Sequence, residues 1–175
     1  MSETLSAQET ARLLGLERLP VEGTFYRQTY RSSEELPDGT PAGTAMIGMY
    51  SAEPPSFSCF HRLTRHELWH FYSGDPFELI LLYPGGGHEA VVMGPDVAAG
   101  QKLQFDVPPD VWQAGRLVSG GRMAVYGCTL APGFTPSCFE AAEREKLLSE
   151  YPDMAEIISE LSPVKAENLP DDLDR

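Results

Sequence analysis

Hydrophobic positions recur along most of this chain in short runs, and a turn signal closes nearly every run. Phe25–Arg31 alternates large and polar residues with a period of two, as a half-buried strand does. Further strands are expected at Thr44–Tyr50, Phe57–Leu63, Glu67–Ser73, Phe77–Tyr83, His88–Met93, Leu103–Val107, Trp112–Val118 and Met123–Leu130. The breaks are Gly74-Asp75-Pro76, Pro84-Gly85-Gly86-Gly87, Gly94-Pro95-Asp96, Pro108-Pro109-Asp110 and Gly120-Gly121. Gly and Pro favour turn conformations there. Many short strands at near-even spacing predict a β-sandwich or barrel.

The two ends follow a helical period instead. Ser6 to Leu16 predicts a short helix, with Ser6 as cap, Glu9 completing a capping box, and Leu13, Leu14 and Leu16 as an apolar stripe. Pro20 and Gly23 end that pattern, and Ser32 to Gly43 reads as a loop around Pro37-Asp38-Gly39. Beyond Pro132-Gly133-Phe134 two helices are predicted, Phe139–Glu150 and Met154–Leu161, divided at Tyr151-Pro152 because proline cannot continue the first. With no internal repeat or linker, residues 1–165 are expected to form one domain and 166–175 an acidic, flexible tail.

Composition narrows the function classes. The 175 residues carry a formal net charge of −13, which repels phosphate backbones and anionic membranes, so nucleic acid is not an expected partner. No run reaches the ~18 apolar residues of a membrane helix, and the start lacks a basic region followed by an apolar stretch. A cytoplasmic location is expected. Cys59, Cys128 and Cys138 have no framework spacing and read as reduced thiols.

Candidate chemistry concentrates in Ser58 to Pro76, which holds three of the four histidines. Within Glu67–Ser73, alternation sends Glu67, Trp69 and Phe71 to one face and Leu68, His70 and Tyr72 to the other. Cys59 and His61 share parity in the preceding strand. A buried carboxylate among aromatic rings requires a cation, a metal or a hydrogen-bond donor. His66 reads as a solvated turn residue and His88 as loop.

These residues resemble the cupin superfamily. Its usual first motif is His-X-His, a few residues, Glu, six residues, Gly. Here Glu67 and Gly74 fit, His61 takes the second histidine place and Cys59 the first. In the usual second motif, Asp110 stands where glycine is usual and Gln113 where the last metal histidine is usual. The stretch HRLTRHELWHFYSGDP, with VPPDVW and GCTLAPGF, resembles a single-domain cupin family classed as a domain of unknown function. That resemblance covers Ala11 to Pro163. It implies a mainly β fold, a double-stranded β-helix or jelly roll with short N- and C-terminal helices, and a homodimer.

Three uses of such a pocket stay open. His61, Glu67 and Gln113 could hold a divalent metal ion for an oxygenase or isomerase, although an amide is a weak ligand. Without metal, His61 could act as a base oriented by Glu67, with Tyr26, Tyr30 or Tyr72 as acid, as in sugar epimerases. In that case Trp69, Phe71 and Trp112 would stack on a carbohydrate-like or nucleotide-sugar ligand, with Gln113, Tyr26 and Arg27 also contacting it. Third, the same groups could serve binding or scaffolding without turnover. Arg27 and Arg116 are open to an anionic ligand or to surface acids. Glu22 and Gly23 are placed at the barrel mouth.

Overall fold

Among the described residues, eleven strands and three helices form where turn chemistry and alternation direct them. In the computed structural model, which describes residues 5–19, 23–162 and 169, the chain opens with α1 (Ala7–Leu14). Ser6 and Glu9 form the expected capping box, and Gly15 closes the helix in the left-handed region at φ 64°. Then come β1 (Glu17–Arg18), β2 (Phe25–Arg31), β3 (Thr44–Ser51), β4 (Ser58–Leu63), β5 (Glu67–Gly74) and β6 (Phe77–Leu82). They are followed by β7 (His88–Met93), β8 (Gln104–Val107), β9 (Trp112–Leu117), β10 (Met123–Leu130), β11 (Phe139–Ala141), α2 (Arg144–Glu150) and α3 (Ala155–Leu161). Pro20, Val21, Glu22 and the tail, except Leu169, lie outside the described residues.

Two antiparallel sheets face one another. The first runs β1-β2-β3-β10-β5-β8 and the second β11-β4-β9-β6-β7. Their inner faces meet in a core of Tyr50, Trp69, Phe77, Leu79, Leu81, Met93 and Tyr126. Outer faces are covered by the helices. Ala7 and Ala11 of α1 pack on Met49 and Val125 of the first sheet. Leu147 of α2 and Ile158 and Leu161 of α3 pack on Phe60, Ile80, Leu82 and Trp112 of the second.

One predicted boundary needs correction. The helix expected from Phe139 begins only at Arg144, because Phe139 to Ala141 form β11 instead. Phe139 pairs with Leu63 and Ala141 with His61, so the segment closes the open edge of β4 and buries its apolar side chains. A second departure matters more for the site. Ser58 pairs with Gly115 and His61 with Gln113, so three steps along β4 match two along β9. This bulge resets the alternation, and Ser58 and His61 both reach the interior despite opposite parity.

Glycine makes room for two core rings. A Cβ at Gly115 would lie 2.2 Å from the Tyr50 hydroxyl oxygen, and one at Gly48 would lie 2.3 Å from Tyr126 Cζ. Each tyrosine therefore occupies a slot that no larger residue could leave open.

Candidate functional site

At one end the barrel interior is hollow. The cavity has about 80 Å³ open to the centres of water molecules, several times the ~10–15 Å³ that one water needs. Its polar lining comes from Thr24, Tyr26 and Gln28 on the β2 side, Thr44 on β3, His61 on β4, Glu67 on β5 and Tyr126 on β10. Trp69, Phe134, Phe139, Met46 and Leu169 supply much of the apolar wall. Glu67 projects from the first sheet, and His61 from the second.

The chemistry at the base of the cavity is tightly specified. Trp69 Nε1 donates to Gln113 Oε1 at 2.9 Å, and Gln113 Nε2 donates to Glu67 Oε2 at 2.7 Å. An indole N–H can only donate, so Gln113 must turn its carbonyl toward Trp69 and its NH2 toward the carboxylate. Glu67 is 6% exposed and Gln113 1%. The chain of bonds fixes the carboxylate's orientation and links the two sheets.

His61 is equally constrained. Its ring is 4% exposed and stacks on Phe139 with centroids 5.3 Å apart. Nδ1 lies 2.8 Å from the Cys59 carbonyl oxygen and, as the donor of that bond, carries the proton in the neutral ring. The lone pair then falls on Nε2. Burial pulls the imidazole pKa below its ordinary value, against the opposing pull of Glu67 and the Cys59 carbonyl. A neutral ring with a lone-pair nitrogen is a hydrogen-bond acceptor and a base.

The structure brings His61, Glu67, Trp69 and Tyr26 together around the cavity, with Gln113 behind them. It does not bring the other expected ligand contacts there. Trp112 lies on the outer face of the second sheet, in the cluster with α2 and α3, beneath the Arg62 guanidinium at 4.5 Å. Phe71 is half-buried and stacks near Phe77, outside the cavity lining. Arg27 is exposed, its aliphatic stem beside Gly15 at the end of α1. Tyr30 and Tyr72 are 56% and 53% exposed and outside the cavity lining. Arg116 is held by Glu78 and Glu160 on the surface. Cys59 reaches His61 through its backbone carbonyl and is not among the lining residues. His66 is an exposed partner of Asp106 at 3.0 Å.

Tyr126 was not expected at the site. It stacks on Trp69, and its hydroxyl shares a 2.9 Å hydrogen bond with Thr24 Oγ1. Cys128 and Leu130 follow it into the lining. The alternation of Met123–Leu130 already put these residues on one face. Only the pairing of β10 between β3 and β5 shows that this face meets His61 and Glu67.

A family model described as cupin superfamily (DUF985) matches residues 8–142. The chain belongs to this cupin family. A protein from Shewanella oneidensis is similar to this cupin at 31% identity and TM-score 0.84, covering 93% of this chain and 100% of its own. A hypothetical protein from Leishmania major is 24% identical with TM-score 0.82, covering 90% of this chain and 99% of its own. No curated protein matches the chain.

Cupin motifs usually supply a set of metal-binding histidines, and the described residues of this cupin do not fit one. Gln113, in the last histidine place, turns an amide N–H rather than a lone pair toward Glu67. Its oxygen already accepts from Trp69. His61 has committed Nδ1 to a carbonyl. Among the described residues, no group of three or more His, Cys, Asp or Glu side chains is placed to hold a metal ion. Zinc, iron, manganese and nickel sites ordinarily need at least three strong donors.

Proposed function

We propose that this cupin binds a small, polar, carbohydrate-like molecule in the barrel cavity, without a metal ion. The observation that carries this reading is the Trp69–Gln113–Glu67 chain of hydrogen bonds beside a neutral, buried His61. Buried polar groups are costly unless satisfied. A set held this rigidly at the edge of a cavity supports recognition of ligand hydroxyls, because its acceptors need no reorganisation when a ligand arrives. Trp69, Tyr126, Phe134 and Phe139 offer ring faces for the C–H surfaces of a sugar.

The enzymatic version of the reading is an isomerase or epimerase. His61 Nε2 would accept a proton from a ligand carbon, and the phenol of Tyr26 or Tyr126 would supply one from another side of the cavity. Binding without turnover uses the same contacts, and only the proton transfer separates the two.

A thermal-shift screen of free monosaccharides, sugar nucleotides and small polar metabolites tests the proposal. Wild-type protein should be stabilised by at least one of them. The His61→Ala, Glu67→Ala double variant should lose that response. Retention of every response by the double variant overturns the pocket assignment.

A further inference from the structure

We infer that the cavity takes a polyol with one deoxygenated, hydrocarbon side in preference to a fully hydroxylated sugar. This rests on the binding role proposed above and narrows its ligand class.

The wall beside His61 carries the argument. Leu63 stands two residues beyond His61 on β4 and lines the same cavity. It pairs with Phe139 of β11, whose ring stacks on the imidazole. Leu130, at the end of β10, faces the same space. Both leucines are buried, and they pack with Leu19, Phe139 and Leu169 in one apolar cluster. Phe134 lies half-buried against it. One surface of the cavity is therefore hydrocarbon, continuous with a packed cluster, and Glu67 and His61 stand beside it.

Local structure fixes that surface in place. β11 alternates buried, exposed, buried, so Phe139 and Ala141 turn inward while Glu140 meets Arg62 outside at 2.7 Å. The turn that carries Phe134 is fastened from two sides. Arg65 donates to the Gly133 carbonyl and to Thr40 Oγ1, and the Phe134 N–H donates to Thr44 Oγ1 at 2.8 Å.

A pyranose has C–H faces above and below and hydroxyls around its rim. The faces can stack on rings, and hydroxyls turned toward Glu67 and His61 meet polar groups. A hydroxyl turned toward Leu63, Leu130 or Phe139 loses water and meets side chains that offer no hydrogen bond, which is costly. A hydrogen or methyl group in its place gains from burial against the same surface. An apolar pocket wall tells a hydroxyl from an apolar group by up to about 10²-fold.

The test is calorimetric titration of wild-type protein with matched pairs in which a methyl replaces the hydroxymethyl group. The pairs are D-glucose and D-quinovose, D-galactose and D-fucose, and D-mannose and D-rhamnose. In at least one pair the methyl sugar should bind at least about threefold tighter than its parent. If sugars bind and no pair reaches that ratio, the inference is overturned and the carbohydrate reading stands. No binding by any sugar sinks both. Phe134→Gln then locates the preference, since a half-buried position is the mildest place to make this wall polar. The preference for the methyl sugar should fall at least about threefold, and a smaller fall counts against the inference. Leu130→Thr, on the same wall, replaces that variant if it melts early, and the wild-type comparison needs neither.

Discussion

The two ends of the barrel interior are built from alternating strands of the same two sheets and end up in opposite states. At the closed end, Tyr50, Phe77, Leu79, Leu81 and Met93 are fully buried, and the rings of Tyr50 and Phe77 meet edge to face at 5.4 Å. Even the Tyr50 hydroxyl is satisfied, donating to Ser58 Oγ at 2.8 Å. At the open end, inward positions of β2, β4 and β5 carry Tyr26, Gln28, His61 and Glu67 around the cavity. The difference teaches what each end is for. Close packing at one end holds the two sheets at a fixed separation. That rigidity lets the other end keep a cavity lined by costly polar groups without collapsing onto it.

The most severe way to break this comparison is to hollow out the closed end. Phe77→Ala should cost about 3–5 kcal/mol, because it removes a fully buried ring and leaves a void. Met46→Ala, at the wall of the existing cavity, should cost less than about 2 kcal/mol, since its neighbours already face space. Urea denaturation of the two variants measures the contrast, and equal losses would remove the distinction between the ends. Gln113→Leu comes next. It removes the hydrogen bonds to Glu67 Oε2 and from Trp69 Nε1 at once and should cost about 2–3 kcal/mol. Gly48→Ala should cost about 1–3 kcal/mol by driving the Tyr126 ring out of its slot, and it should weaken ligand binding as well.

A pH series sharpens the open end with a smaller effect. Above about pH 6.5, His61 is neutral in both the folded and the unfolded chain, and stability does not depend on it. As the pH falls below that value, the unfolded chain takes up the proton first, so stability declines until the lowered folded pKa is reached. Wild-type protein should therefore lose more stability than His61→Gln between about pH 7 and about pH 5. His70, whose pKa burial also lowers, is common to both proteins and cancels. Parallel losses would show that His61 is not held neutral. The smallest effect expected is that of metal. Added zinc, iron, manganese or nickel should leave the melting temperature within about 1 °C, because the described residues offer no third strong ligand beside His61 and Glu67.

The strands were legible because turn residues and period-two alternation are local signals. Phe25–Arg31, His88–Met93 and Met123–Leu130 form with the boundaries read from sequence. That His61 and Glu67, with Gln113 behind them, come together in the barrel was legible too, through spacing and family resemblance. The expected contacts that lie away from the cavity share a physical cause. Trp112 and Gln113 are neighbours on one strand, as are Tyr26 and Arg27, so neither pair can point the same way. Alternation groups residues by face but does not say which face meets the helices. Trp112 went outward to pack under α2 and α3, and Arg27 outward beside α1. The bulge in β4 and the placement of Tyr126 depend on partners far away in sequence. No local pattern carries that information.

The most direct test of the central claim fills the open end. Met46→Phe adds a ring to the cavity wall. Its binding is compared by calorimetry with that of wild-type protein, using the monosaccharide or hexosamine that most stabilises the latter. Saturable binding by wild type, lost in a variant that melts no lower, is what a ligand cavity predicts. Equal binding by both proteins would place the ligand elsewhere and contradict the account.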